Sequence, residues 1–468
     1  MALECRGRKV SYVDLSRAAE NLARGLLATD VAGGDRVALV ASPSVEGVAL
    51  AHALQRIGAT LVPLSLRASA REVGRQLDRV RPALVVHDET HAPGETVGLR
   101  RSISLEALAG AGGSAPASLP DRIEPSAALV VLFTSGTERE PKAVVLSNAA
   151  VYASAVASAR RLGINAEDRW LCPLPLWHVG GLSIAYRAAV CGFTAVVHPS
   201  FDVGAADTAL REDGVTVVSL VPTMLGRLLE RGASSARYPA LRVVLLGGAS
   251  LSPTLARVAS GAGLPLFRTY GLTEAASQVT TTEAGEAIEH PRSSGRPLEC
   301  VELRIDHPDA RGRGEILVRG PQLMDGYLDD SRANDRVLAG GWLHTGDTGT
   351  IDAAGRLVVA ERRADVIVSG GENVSPSEVE AVLCEHPDVV AAGVFGEPDA
   401  EWGERVGAAV VLAEGARVDA RGLRDWCRER LAGFKLPRRI AIVDALPTND
   451  SGKIRRSQLR GLVASGKA

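Results

Sequence analysis

AALVVLFTSGTEREPKAVVLS, Ala127 to Ser147, decides the reading of this chain. Ala128 to Phe133 is a short, unbroken apolar run, the pattern of a strand buried on both faces and far too short to span a bilayer. Four small or hydroxyl-bearing residues follow at once: Thr134, Ser135, Gly136 and Thr137. Their hydroxyls and backbone N–H groups can converge on phosphate oxygens, and Lys142 adds a compact positive charge. The glycine and lysine spacing is not that of GxxxxGKS/T, so an ordinary Walker nucleotide hydrolase is not implied.

The segments around this strand have the texture of an α/β protein. Amphipathic stretches at Leu15 to Leu27, Val45 to Arg56 and Ala70 to Val80 alternate with apolar runs at Arg36 to Val40 and Ala83 to Val86. Gly110 to Pro125 is small and Pro-rich, a surface connection, and Ala149 to Arg160 is helix-like. Further strands are expected at Phe193 to Val197, Val215 to Leu220 and Leu241 to Leu246, with a helix at Thr223 to Glu230. Such runs build a mostly parallel sheet covered by helices. From Leu298 the chain turns to short alternating strands (VELRI, GEILVRG, GRLVVA), a small β-rich unit. A second change falls at Glu361 to Asp365, and the roughly 100 residues after it read as a separate α+β domain.

Composition narrows the class. In 468 residues, 53 Lys plus Arg stand against 55 Asp plus Glu, a net charge of −2, with 46% hydrophobic and 23% charged residues. That balance belongs to a soluble globular protein and disfavours a nucleic-acid partner. The six cysteines never approach a CxxC spacing, which argues against a thiolate metal site or a disulfide framework and fits the cytoplasm. The start, MALECRGRKV, has no apolar leader, and stable membrane insertion is not expected. Homo-oligomer formation stays open. Lysine is rare, occurring only at positions 9, 142, 435, 453 and 467. Where positive charge is otherwise written as Arg, an internal Lys is a candidate for work that needs a point-like ammonium.

Other motifs carry matching chemistry. In YGLTE, Thr273 offers a hydroxyl and Glu274 a hard oxygen suited to Mg²⁺ bearing phosphates, just after Tyr270 and Gly271. In GWLHTGDTG, Asp347 is placed to accept ribose hydroxyls. SGGENVSPSEVE puts Gly370, Gly371, Glu372 and Asn373 ahead of a helix starting near Pro376. Each alone is weak. Taken in order, FTSGTxxxPK, YGLTE, HTGD, ERRADVIVSGGENVSPSEVE and LPTNDSGKIRR resemble the adenylate-forming family of acyl-CoA ligases, luciferases and peptide-synthetase adenylation domains, over about residues 10 to 460.

The resemblance implies an α/β N-terminal domain, residues 1–361, with two α/β subdomains and a small β-barrel-like one, then a mobile α+β C-terminal domain at 365–468. It implies ATP, Mg²⁺ and coenzyme A, with a small-molecule carboxylic acid activated as acyl-AMP and then transferred to the thiol. Thr134, Ser135, Gly136, Thr137 and Lys142 would hold the β and γ phosphates, Thr273 and Glu274 the α-phosphate and metal, and Asp347 with Arg362 the ribose. Lys453 matches the catalytic lysine of adenylation. Ala364 falls at the family's hinge, about which the C-terminal domain rotates to exchange Lys453 for Gly370 to Asn373. Relatives commonly have Thr-Gly where this chain has Glu138 and Arg139, and Gly where it has Ala143. A glutamate beside a triphosphate should weaken ATP binding unless it pairs with Arg139.

For the acyl group, PLWHVGGLSIAYRA places His178 before a Gly-Gly corner, SLVPTMLGRLLE carries Arg227, and LLGGAS offers Gly247 and Gly248 as a pocket wall. With Ser277 in the SQVTT continuation, this set is most similar to the branch of the family that joins 2-succinylbenzoate to CoA in menaquinone synthesis. Its acid carries a second, distal carboxylate, for which Arg227 is the first candidate reader and Arg187 the second. Aryl-CoA or medium-chain acyl-CoA ligases are the alternatives within this class. A peptide-synthetase-type adenylation module is the alternative outside it. Such a module would need an early pocket Asp, and Asp202 beside Phe201 stands in a different context.

Overall fold

The computed structural model describes the chain except residues 92–100, 113–117, 135–140, 249–250, 252, 362–365, 414, 448–453, 455 and 465–468. It divides into two compact units. The first is Met1–Leu66, Val80–Phe133 and Ala143–Glu361; the second is Arg67–Arg79, Thr134–Lys142 and Arg362–Ala468.

Among the described residues the first unit is built on three sheets. The run that opened the sequence reading is the strand Ala128–Thr134, inside a seven-stranded sheet ordered Gly326–Tyr327, Lys142–Ser147, Ala128–Thr134, Thr60–Pro63, Arg36–Val40, Leu84–His87, Ser102–Ser104. Leu129, Val130, Val131 and Leu132 are each 1% exposed, which is why no polar alternation shows in this segment. A nine-stranded sheet runs Arg296–Pro297, Ser277–Thr281, Leu266–Leu272, Val243–Leu246, Val217–Leu220, Arg169–Cys172, Thr194–Val197, Leu3–Cys5, Arg8–Val10. Its centre is parallel as expected, and both ends are antiparallel hairpins. The third sheet, Glu302–Asp306, Gly314–Arg319, Leu343–Ile351 and Leu357–Glu361, is wholly antiparallel.

Helix starts follow local chemistry. Ser11, Ser44 and Ser147 cap the helices Tyr12–Ala28, Val45–Ile57 and Asn148–Leu162 with side-chain oxygens, and Gly58 and Gly163 end the latter two in the left-handed region. One expectation is corrected here: Gly180 and Gly181 form no corner but lie in the first turn of the helix Val179–Cys191. A Cβ on Gly181 would sit 2.3 Å from the Pro175 carbonyl oxygen, so glycine is required by that close approach.

In the second unit, Val389–Asp399 pairs antiparallel with Gly403–Leu412, flanked by Ile367–Ser369, Glu372–Val374 and Arg439–Ile442. Lys435, one of the rare lysines, is buried here with its Nζ 2.5 Å from Glu72 and 2.9 Å from Glu378. Burial alone would lower its pKa, but the two carboxylates override that and raise it. This lysine is a structural ion-pair centre.

Candidate active site

The hairpin Leu266–Leu272 with Ser277–Thr281 carries five of the sequence-derived candidates: Tyr270, Gly271, Thr273, Glu274 and Ser277. Its turn is cramped. A Cβ on Gly271 would meet the Ser277 carbonyl oxygen at 1.9 Å, and Ala276 and Ser277 hold φ of 48° and 107°, positions that side chains rarely tolerate. Tertiary bonds hold the strained turn: Ser154 Oγ donates to the Ala276 carbonyl at 2.7 Å, and the Ser158 hydroxyl donates to Gln278.

From this turn two acidic groups are oriented by phenols. The Tyr270 hydroxyl donates to Asp347 Oδ2 at 2.8 Å, joining the hairpin to the strand Leu343–Ile351. The Tyr327 hydroxyl donates to Glu274 Oε1 at 2.8 Å, and Tyr327 pairs with Val144 at the edge of the seven-stranded sheet. Asp347 is supported from below, its N–H donating to Thr345 Oγ1 at 3.1 Å while Thr345 donates to the Ile316 carbonyl at 2.7 Å. Tyr327, Thr345 and Glu315, which accepts the Gly346 N–H at 2.8 Å, escaped the sequence reading because second-layer partners carry no motif of their own. Gly247 and Gly248 follow the neighbouring strand Val243–Leu246, and a Cβ on Gly247 would come within 2.9 Å of Thr269 Cγ2, one residue before Tyr270. The proposed pocket wall therefore does adjoin the hairpin.

Thr134 ends its strand half-buried, and Lys142 opens the next one, 5% exposed. Ser135, Gly136, Thr137, Glu138, Arg139, Arg362, Ala364 and Lys453 lie outside the described residues. Ala143 is fully buried in its strand, its carbonyl accepting the Leu328 N–H at 2.8 Å.

The acyl-side candidates separate sharply. His178 is the residue preceding the helix Val179–Cys191, with its carbonyl accepting the Gly181 and Leu182 N–H groups at 3.1 and 3.0 Å. Arg227 is exposed on the helix Pro222–Glu230, whose buried side is Pro222, Leu225 and Leu228. At about 100° per residue it projects nearly opposite to them, away from the buried side of that helix. Arg187 is its reverse: 2% exposed, with Nε and Nη2 buried and bonded to nothing. Burial lowers its pKa to about 10, still well above neutrality, so the cation persists. It lies 5.6 Å over the Trp170 ring and lines a narrow apolar cleft of about 10 Å³ with Val130, Leu132, Val179, Tyr186 and Ala276.

In the second unit Gly370 and Gly371 turn at φ of 60° and 84°, Glu372 is buried with Arg67 Nη1 at 3.1 Å, and Asn373 is exposed. Gly370 donates its N–H to the Trp402 carbonyl at 2.8 Å, and a Cβ there would strike the Trp402 ring at 2.6 Å. Next to this turn is a cavity of about 180 Å³ lined by Ser369, Asp399, Trp402, Arg405, Phe434 and Arg438. No cluster of three or more potential metal ligands exists among the described residues.

Tyrosine-held carboxylates, a glycine pair beside the hairpin and a cleft lined by a buried arginine thus lie on one α/β unit. The chain belongs to the AMP-binding enzyme family, whose model matches residues 1–328, with the family's C-terminal domain matching 378–453. It is 39% identical to a 2-succinylbenzoate–CoA ligase of Geobacillus kaustophilus over 97% of this chain and 94% of that one. A double mutant of the o-succinylbenzoate CoA synthetase of Bacillus subtilis, bound with its product analogue OSB-NCoA, superposes with a TM-score of 0.94 at 35% identity, covering 98% and 95% of the two chains. The same enzyme in complex with ATP and magnesium ion gives 0.75 at 35% identity, covering 98% and 96%. The resemblance read from the motifs is thereby borne out, fold class included.

Proposed function

We propose that the chain is a 2-succinylbenzoate–CoA ligase, using ATP to form the acyl-adenylate with release of pyrophosphate and then passing the acyl group to CoA. One observation carries the choice of acid: Arg187, a buried cation whose Nε and Nη2 have no hydrogen-bond partner among the described residues, lining an apolar cleft. An uncompensated buried charge is costly, and a ligand's distal carboxylate removes the cost. A monocarboxylic acid leaves it unpaid.

Adenylation brings a carboxylate to the α-phosphate, two anions that repel. Lys453, Lys142 and Thr273 supply the compensating donors, and Asp347, its carboxylate held by Tyr270, takes the ribose with Arg362. Glu274 fits a Mg²⁺ site, since one of its oxygens is fixed by Tyr327 and magnesium usually takes one or two carboxylates together with substrate phosphates. Bound there, the ion neutralises charge on the phosphates. We assign His178, the residue before the helix Val179–Cys191, to the gate of the acyl pocket. Gly370 to Asn373 serve the thiol step, with Ala364 as the hinge. The cavity beside them offers aromatic rings and guanidinium groups, the pair of chemistries that holds an adenine and its phosphates, and we assign it to the nucleotide end of CoA. The enzyme works in the cytoplasm, a reading supported by six cysteines that form no disulfide among the described residues. Among the described residues no helix is long and apolar enough to cross a membrane.

The test is pyrophosphate release from ATP with 2-succinylbenzoate, benzoate, hexanoate and amino acids at equal concentration, with and without CoA. A preference of tenfold or more for 2-succinylbenzoate, with CoA-thioester as product, is expected. Equal rates on benzoate or hexanoate would leave a general acyl-CoA ligase, and an amino-acid preference a carrier-protein module.

A further inference from the structure

The helix Val179–Cys191 presents Val179, Ser183, Tyr186 and Arg187 to the narrow cleft, the i, i+4, i+7, i+8 positions of one face. Tyr186 has the same defect as Arg187: its hydroxyl is buried and makes no hydrogen bond among the described residues. Burial pushes the phenol's pKa up, so it remains a donor. Its ring is fixed by His52, which meets it edge-on with centroids 5.6 Å apart. Burial lowers the pKa of His52, opposed only by its bond to Gln55, so this neighbour is a neutral imidazole and not a competing cation.

The cleft therefore holds unsatisfied donors and no acidic residue to receive them. Ser183 directs its hydroxyl to the Gly180 carbonyl at 3.4 Å, and Ser154 directs its own to Ala276, so neither answers the phenol or the guanidinium. A group that satisfies both donors must accept at least two hydrogen bonds, and an anionic acceptor also compensates the Arg187 charge. The cleft, about 10 Å³, is close to the size of one water, enough for a carboxylate oxygen and too little for a phosphate.

We propose that Tyr186 is a second specificity-determining donor, its hydroxyl binding the distal carboxylate of the acid alongside Arg187. This rests on the acid assigned above. Arg187 supplies the charge, and Tyr186 supplies a directional bond that a cation alone does not.

The test is Tyr186→Phe, which keeps the ring, its packing on His52 and the fold, and removes only the hydroxyl. It is assayed on 2-succinylbenzoate and on 3-benzoylpropionate, the same keto acid without the ring carboxylate. The variant is expected to lose roughly tenfold in kcat/KM on the first acid and less than about twofold on the second, with the KM for ATP and for CoA unchanged. In the Arg187→Ala background the same change should cost much less than tenfold, since the two donors share one ligand group. If the wild type prefers the dicarboxylate and Tyr186→Phe keeps that preference, or loses equally on both acids, the role of Tyr186 is overturned while the assigned acid stands. If the wild type turns over both acids equally, the assigned acid falls and this inference falls with it.

Discussion

The cleft beneath Val179–Cys191 and the cavity beside Gly370 are built on opposite principles. The first is narrow, apolar and short of acceptors, with a guanidinium and a phenol whose polar atoms are unsatisfied. The second is wider and its charges are already served: Arg405 Nε holds Glu397 at 2.9 Å, Arg438 lies 5.8 Å over the Trp402 ring, and Asp399 accepts the Glu401 and Trp402 N–H groups, each at 2.9 Å. A site with a built-in deficit discriminates, because the wrong ligand leaves a buried group unpaired. A site with its charges paired and half in water mainly adds affinity, spread over stacking and screened charge.

The sharpest way to break this contrast is Arg187→Ala. Removing the cation leaves the ligand's carboxylate in an apolar cleft, where an unpaired charge costs more than the 1.5 to 3 kcal/mol of one charged hydrogen bond, so kcat/KM on 2-succinylbenzoate should fall by about a hundredfold. The KM for CoA should stay within about twofold of the wild type, as the two sites share no residue. Arg187→Ala also removes an unpaired buried charge from the free enzyme, so its thermal midpoint should hold or rise, which separates lost recognition from lost folding. A fall in stability with equal losses on all acids would make Arg187 a packing residue.

The second cavity should behave more mildly. Trp402→Ala removes a stacking surface worth about 1 to 3 kcal/mol per base, raising the KM for CoA about tenfold while CoA-independent pyrophosphate release is unchanged. Because Arg438 is exposed, that KM should also rise between 50 and 300 mM salt, whereas the KM for the acid should barely respond. An acid KM that climbs equally with salt would erase the distinction between the two sites.

How much of this was legible follows from how each element is made. The strand Ala128–Thr134 and the helix starts at Val45, Ala70 and Pro376 could be read because an apolar run or a capping residue is local. Arg169–Cys172 could not: it is four residues long, it opens with an arginine, and that charge is tolerated through a 2.7 Å pairing with Glu4, far away in sequence. The strained turn at Ala276 and Ser277 leaves no signal, since neither is glycine and its support comes from Ser154 and Ser158. The ATP motifs announced themselves as spaced hydroxyls and carboxylates. Arg187, the proposed acyl reader, ranks only second in the sequence, because residues Gly181 to Ala188 are all buried and an all-buried helix has no polar phase to mark which side holds a ligand.

The choice between the two arginines makes the last prediction, with the smallest effect. By motif Arg227, in SLVPTMLGRLLE, is the first candidate. In the fold it stands on the solvent side of Pro222–Glu230, where charged groups are cheap to keep and cheap to lose. Arg227→Ala should therefore change kcat/KM by less than about twofold on 2-succinylbenzoate and on 3-benzoylpropionate alike, and shift stability by within about 0.5 kcal/mol. The informative comparison is the ratio of the two acids, which cancels enzyme concentration and any general loss of activity. If Arg227→Ala alters that ratio tenfold while Arg187→Ala leaves it untouched, the carboxylate is read from the exposed helix. The unsatisfied guanidinium in the cleft is then a cost of folding and not a device for recognition.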